Sequence, residues 1–302
     1  MRLSVIVPTR NRAGSLKKLL QSLHEVECPG SLELEVLVVD NGSTDGTQEM
    51  IAGELPGRRR FSLRVLNELT KGKASALNLG LASAKGEFLL VLDDDVVVHA
   101  QFLAKHLECY EATDFDAVQG RVLPGLDPEG KPADLGRLRE YNIPWNDYGD
   151  DYREIRGLTG TNMSFKRRVF EKVGFFDTRL GPGAAGFSED SEYSIRIRHA
   201  GFKIGYTPHA VVYHELNPER YGRKYNRAVE YRKGVSRSLY RRDSILLGVI
   251  PNLIANCLRY GLYRLAGQSQ KAYRTEGRIM KCWGYLMGRT RGASSPDTHR
   301  NM

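Results

Sequence analysis

Only four cysteines occur in 302 residues, Cys28, Cys109, Cys257 and Cys282, and they stand far apart. No two of them form a C-x-x-C pair, which argues against a disulfide framework and against a structural zinc site, and fits a reduced setting. No uninterrupted apolar run reaches the roughly 18 residues that a spanning helix needs. The longest nearly apolar stretch is the 14 residues from Ile245 to Leu258, and Pro251, Asn252 and Asn256 interrupt it. The opening MRLSVIVPTRNR has one early Arg and a short apolar run, which reads as a strand and not as a secretory signal. Internal repeats and long low-complexity tracts are missing too. With 41% apolar and 27% charged residues the composition is that of a globular chain, neither disordered nor collagen-like.

What the sequence does have is an uneven charge. The formal net charge is +9, but residues 217–302 carry 18 Lys and Arg against 5 Asp and Glu, a net of +13. Residues 1–216 hold 27 basic and 31 acidic side chains, a net of −4. Opposite balances suggest two regions with different tasks, 1–216 and 217–302.

Along the first region, apolar runs alternate with helical periodicity. Strands are expected at Leu3–Val7, Glu33–Val39, Leu63–Leu66 and Phe88–Leu92, and helices at Ser15–Leu23, Thr44–Ile51 and Lys73–Ala84. Pro56–Arg60 reads as a basic loop. This alternation predicts a parallel α/β sheet, in which ligands bind beyond the carboxyl ends of the strands. Thr9, Asp40 and Asp93–Asp95 each follow a strand, so they are expected along one edge. Three adjacent carboxylates repel one another and call for a compensating cation, and hard oxygen ligands suit Mg²⁺ or Mn²⁺ bridging phosphates. A solvated acidic turn is the alternative for the triplet, and an Asn-Gly turn for Asp40.

Further on, Gly181-Pro182-Gly183-Ala184-Ala185-Gly186 precedes Glu189-Asp190 and a helix from Ser191 to Ala200. So much glycine suggests a flexible lid ahead of a carboxylate pair. Acidic residues also favour a helix start on dipole grounds alone. His214 closes the apolar run Ala210–Tyr213, and Glu215 beside it is a competing ligand.

Taken together, V-I-V-P-T-R-N-R, V-V-D-N-G-S-T-D-G-T, A-L-N-L-G-L-A-S-A-K-G-E-F-L-L-V-L-D-D-D, G-T-N-M-S-F-K-R-R-V-F-E-K-V-G-F-F-D, F-S-E-D-S-E-Y-S-I-R and Y-T-P-H-A-V-V-Y-H-E resemble the inverting family 2 glycosyltransferases of bacterial cell-surface polysaccharide and glycolipid synthesis. The resemblance spans about residues 3–215, in the family's order. It implies a GT-A fold, a Rossmann-like, mostly parallel sheet, here with a C-terminal helical basic extension. It implies a nucleotide-diphospho-sugar donor and a glycan or lipid-linked acceptor, with Mg²⁺ or Mn²⁺ as cofactor. By that resemblance Pro8 and Thr9 line the base pocket, Asp40 bonds the base, and Lys73 lies near the nucleotide. Asp93 contacts ribose or sugar, with Asp94 beside it, and Asp95 and His214 hold the metal. Gly160 and Asn162 approach the donor sugar. Asp190 is the general base, with Glu189 as its neighbour. Trp145 and Tyr148 fall in an acceptor-side stretch.

The basic tail reads as amphipathic helices. Ser244–Gly267 is apolar with Arg241 and Arg242 before it and Arg259 and Arg264 inside it, a pattern suited to the headgroup layer of an anionic membrane. Peripheral contact at the inner face of the cell membrane is therefore expected, in a cytoplasmic setting where nucleotide sugars are made. Packing of these helices on the core is the alternative. Nucleic-acid binding is not expected, since no nucleic-acid motif accompanies the charge. A soluble transferase for small-molecule or protein acceptors, and a nucleotide-sugar-binding module without catalysis, are the competing functions.

Overall fold

The computed structural model describes residues 1–28, 30, 32–54, 61–125, 145–217, 220 and 222–290. The expected basic loop Pro56–Arg60 lies outside them. The chain divides into two compact units. The expected cut after 216 would leave 179–188 with the sheet, whereas in the structure this segment belongs with the C-terminal helices.

Among the described residues the first unit has nine strands. In chain order they are β1 (Arg2–Thr9), β2 (Glu33–Asp40), β3 (Ser62–Asn67), β4 (Phe88–Leu92), β5 (Val96–Val98), β6 (Ala117–Pro124), β7 (Arg153–Glu154), β8 (Asn162–Lys166) and β9 (Ile204–His214). The helices are α1 (Ala13–His24), α2 (Thr47–Glu54), α3 (Lys73–Ser83), α4 (Phe102–Ala112), α5 (Arg167–Val173) and α6 (Glu189–His199). The sheet order is β3-β2-β1-β4-β8-β6-β9-β5, with β7 paired to β9. Strands β3, β2, β1 and β4 are parallel; β8 runs antiparallel to both β4 and β6. This is the mixed, mostly parallel α/β sheet of the GT-A fold.

The central strands alternate between two buried faces. Leu3, Val5 and Val7 of β1 join one core cluster with Leu16, Leu19, Leu20 and Leu23 of α1, while Ile6 joins the other with Leu77 and Leu81 of α3. Burial on both faces is why these strands read as near-continuous apolar runs. Helix α3 lies close on the sheet: a Cβ on Gly80 would stand 2.4 Å from Ile6 Cγ2. Between β6 and β9 the register slips after Gly120, skipping residues 208–210 of β9. Pro208 falls in the skipped stretch, where its missing N–H costs no ladder bond.

The register fixes the site. Thr9 sits opposite Asp40, and Asp40 opposite Asn67. Ile6 sits opposite Val91, so three residues farther along both strands Thr9 comes level with Asp94.

The second unit contains α7 (Arg223–Tyr240), a π-helical turn (Ile245–Val249), α8 (Ile250–Leu265) and α9 (Ser269–Thr290). Helices α7 and α9 touch backbone to backbone. A Cβ on Gly234 would come within 2.1 Å of the Lys281 carbonyl oxygen, and one on Gly284 within 2.0 Å of that of Tyr231. Arg223 forks onto Glu276 at 2.6 and 2.8 Å, and Tyr285 Oη donates to the Arg241 carbonyl at 3.0 Å.

One expectation is corrected here. Pro251, Asn252 and Asn256 do not break the apolar stretch. Pro251 lies in the first turn of α8, where proline is tolerated. Asn252 and Asn256 each donate a side-chain amide hydrogen to the carbonyl four residues back, at 2.8 and 2.7 Å. Ile245–Leu265 is therefore one helix of 21 residues, long and apolar enough by length and composition to cross a membrane.

Candidate active site

The carboxyl ends of β1, β2 and β4 bring the acidic triplet into a buried polar cluster. Asp94 Oδ2 accepts the Thr9 hydroxyl at 2.7 Å, as the register requires. Arg12, just beyond β1, donates to Asp95 Oδ2 at 2.6 Å and lies 3.7 Å from Asp94 Oδ1. Asp93 accepts from Thr161 at 2.9 Å and forms a short ion pair with Lys73, the first residue of α3. The repulsion of three adjacent carboxylates is thus offset by two cations of the chain itself.

These neighbours set Asp93 apart from Asp94. Burial alone would raise the Asp93 carboxyl, but the Lys73 ammonium outweighs it and holds the group down to about 2. Burial pushes Asp94 up to about 7, with Arg12 opposing and Asp95 adding to the rise. Lys73 is itself buried, which opposes its charge, yet the attraction of Asp93 and Glu189 keeps it firmly protonated.

At the end of β9, His214 Nε2 lies 3.3 Å from Asp95 Oδ1. Its Nδ1 is 2.7 Å from the Glu215 carbonyl oxygen and donates to it, which turns Nε2 toward the carboxylates. Ligand atoms of Asp93, Asp95 and His214 lie within 4.8 Å of one another. Two hard carboxylates and an imidazole oriented by its other nitrogen form a donor set suited to Mg²⁺ or Mn²⁺. Asp93, expected on the ribose or the donor sugar, lies in this cluster. Glu215, the competing ligand, faces away: Ser15 and Lys18 of α1 bind its carboxylate at 2.6 and 2.7 Å.

The second carboxylate pair opens α6. Acidic Glu189, Asp190 and Glu192 occupy its first turn and Arg196, Arg198 and His199 its last, as the helix dipole favours. Asp190 Oδ1 accepts from the Ser191 N–H at 2.6 Å and Oδ2 from the Gly160 N–H at 3.3 Å. Burial raises the Asp190 carboxyl. Burial, followed by the charge of Asp190, pushes Glu189 up to about 7. Lys73 joins the two acidic sites, since its Nζ lies 3.7 Å from Glu189 Oε1 while it pairs with Asp93. Gly160 makes room for that lysine: a Cβ there would stand 3.0 Å from Nζ.

Other expected site residues lie elsewhere or have local partners. Asp40, 1% exposed, accepts from the Ser43 N–H and hydroxyl at 3.0 and 2.5 Å and from Gln48 at 2.6 Å. Pro8 is buried in β1 opposite Val39. Asn162 turns its side chain into the interior, with Oδ1 2.8 Å from His106 Nε2 and its amide donating to the Ala210 carbonyl at 3.0 Å. Tyr148 stands edge-on to Tyr206, ring centroids 5.1 Å apart. Arg12 and Thr161 were not singled out in the sequence. The signal that finds Arg12 is the strand-end rule already applied to Thr9; Thr161 immediately precedes β8, which pairs with β4.

The family model for glycosyl transferase family 2 matches residues 4–174. The glycosyltransferase AglE of Haloferax volcanii is 29% identical over 216 residues, covering 71% of this chain and 67% of that protein. The poly-beta-1,6-N-acetyl-D-glucosamine synthase of Staphylococcus epidermidis is 26% identical over 245 residues, covering 79% of this chain and 56% of that one. The chain thus spans between about half and two thirds of the length of such relatives. Among solved structures, the mannosyltransferase PcManGT of Pyrobaculum calidifontis, in complex with GDP-Man and Mn²⁺, aligns with a TM-score of 0.57 at 22% identity over 98% of this chain and 76% of its own, a likeness of fold. With more than half of its residues matched by that model, the chain belongs to glycosyl transferase family 2.

Proposed function

We propose that the protein is an inverting, metal-dependent glycosyltransferase that moves a sugar from a nucleotide-diphospho-sugar to the hydroxyl of a lipid-linked or polysaccharide glycan at the cytoplasmic membrane face. The observation that carries this reading is the bridge of Lys73 between the Asp93–Asp95–His214 cluster and the Glu189–Asp190 pair. On this reading the group that meets the leaving diphosphate and the group that serves as base stand on the two sides of one ammonium group.

Asp93, Asp95 and His214 would hold Mg²⁺ or Mn²⁺, which when bound supplies positive charge against the departing diphosphate. Lys73 pairs with Asp93 and Arg12 with Asp95, which holds both carboxylates in place. Asp190 takes the proton of the acceptor hydroxyl as its oxygen bonds to the anomeric carbon. The bond from that carbon to the diphosphate oxygen breaks, and its electron pair leaves with the nucleotide. One displacement inverts the configuration. A carboxylate raised by burial is a better proton acceptor than one in water.

The membrane placement is supported by α8. Leu258, Leu262 and Leu265 are 66%, 64% and 89% exposed, Leu247 and Ile254 are exposed with them, and only 11% of an 18-residue apolar window of the helix is buried. Arg259 and Arg264 are exposed on the same helix, and Arg241 and Arg242 just before it. One exposed apolar stripe with arginines beside it suits a helix lying in the interface of an anionic bilayer.

The decisive experiment is Asp190→Asn, assayed with Mn²⁺ and a panel of sugar nucleotides. Turnover should fall by about 10² to 10⁴ while donor binding, read by thermal shift, stays within about twofold. Full turnover in this variant removes the base assignment.

A further inference from the structure

The Gly-rich segment ahead of Glu189 is closed by backbone hydrogen bonds of its own. Gly181 donates its N–H to the Phe187 carbonyl at 3.2 Å, and Gly186 donates to that of Gly181 at 2.8 Å. Gly181, Gly183 and Gly186 take φ of +86°, +89° and +106°, so glycine here serves shape more than freedom. Helix α7 then fastens the closed loop. Ser236, 0% exposed, accepts the Phe187 N–H at 3.3 Å and donates its hydroxyl hydrogen to the Ala185 carbonyl at 3.2 Å. The methylene stem of Arg232 covers Gly186, whose added Cβ would stand 3.3 to 3.7 Å from it. The Lys233 ammonium lies 6.0 Å from the centroid of the Phe187 ring.

The residue that follows is strained. Ser188 has φ +77°, a region that costs a non-glycine residue free energy and persists where the surroundings impose it. Glu189 and Asp190 come next and open α6. Ser236 and the loop belong to the helical unit, and the chain passes into the sheet unit between Ser188 and Glu189. The buried hydroxyl of Ser236 thus bridges two loop backbone groups two residues apart, and Asp190 follows Phe187 by three residues in the chain.

We infer that Ser236 is a positioning residue for the transfer reaction: by clamping Ala185 and Phe187 it fixes the loop that presents Asp190 to the acceptor. The inference rests on the reading of Asp190 as the base. Ser236 touches no reacting atom and acts only through the loop.

The test uses the full chain and two variants, Ser236→Ala from the helix side and Gly186→Ala from the loop side. Amide hydrogen exchange across 185–191 is read beside Mn²⁺-dependent turnover of UDP-GlcNAc and GDP-mannose. Exchange in the loop and first turn of α6 should rise about tenfold in each variant while β1 and β4 stay protected. The kcat should fall about tenfold with donor KM within about twofold, and the double variant should be no worse than either single one. Wild-type exchange of the loop in both variants overturns the clamp. Faster exchange with unchanged kcat overturns the positioning role. Asp190→Asn separates the two readings: it should lower turnover by about 10² to 10⁴ and leave loop exchange as in the wild type. If that variant keeps full turnover, or if the wild type turns over neither nucleotide, the reading of the base or donor fails, and the exchange measurement alone decides whether Ser236 holds the loop.

Discussion

At the carboxyl edge of the sheet, charge is buried and matched: Lys73 answers Asp93, and Arg12 answers Asp94 and Asp95. Along α8 the arrangement is reversed, with leucines in solvent and arginines beside them. A buried charge without a partner costs several kcal/mol, so the first region can exist only as a specified geometry. An exposed apolar stripe costs far less in isolation and gains only when something covers it. The first pattern is what chemistry on a diphosphate needs. The second is what attachment to a surface needs.

The sharpest way to break the first half of this contrast is to remove a ligand. Asp95→Asn should weaken Mn²⁺ binding, followed by calorimetry, by at least about a hundredfold, and His214→Ala by about tenfold to a hundredfold. Chelation with EDTA should abolish turnover in the wild type. Activity that survives EDTA would mean that Lys73 and Arg12 alone carry the charge of the leaving group.

Next in size is a buried group away from the cluster. His106 is 0% exposed, with Nε2 2.8 Å from Asn162 Oδ1 and Nδ1 3.0 Å from Ser164 Oγ, which in turn meets Tyr110 Oη at 2.8 Å. Burial outweighs the Asn162 bond and lowers its pKa from 6.5 to about 4. Between those values the unfolded chain binds more protons than the folded one, so stability falls as pH drops through the window and the loss is complete near pH 4. The shift corresponds to roughly 3 kcal/mol. Urea titrations from pH 7 to pH 4 should show this slope, and His106→Gln, which can keep a donor toward Asn162, should flatten it. An identical slope in the variant would assign the loss to other groups.

The helical half is probed by Leu258→Asp with Leu262→Asp. Pelleting with anionic vesicles at low salt should drop by more than about tenfold, since both side chains stand in the apolar stripe. Turnover on a water-soluble acceptor should not change. A wild type that stays in the supernatant with such vesicles would favour the soluble transferase.

Much of this arrangement was legible because strand ends are. Thr9, Asp40, Asp93–Asp95 and His214 each follow an apolar run, and the parallel register then sets Thr9 level with Asp94. Side-chain direction was less accessible. Asn162 and Thr161 are adjacent, yet Thr161 meets Asp93 while Asn162 meets His106, because successive residues at a strand point to opposite faces. The same alternation sends His214 toward Asp95 and Glu215 toward α1. Arg12 pairs with residues 82 and 83 positions away, which no local pattern records. Composition is a coarse guide at two further places. The glycines ahead of Glu189 occupy positive-φ positions in a hydrogen-bonded loop, and Pro251 lies where a helix tolerates it.

The smallest expected effect lies at the passage between the two regions. Ser188 at φ +77° costs about 1 kcal/mol relative to glycine in the folded state, and glycine returns part of that gain through the larger entropy of its unfolded chain. Ser188→Gly should therefore raise stability by a few tenths of a kcal/mol, seen as a thermal midpoint higher by about one or two degrees. Turnover should hold, because Ser236 still grips Ala185 and Phe187. If Ser188→Gly lowers kcat as far as Ser236→Ala does, then the strained turn itself aims Asp190, and the contrast between a specified sheet edge and a helical region with an exposed apolar stripe fails at the point where the chain joins them.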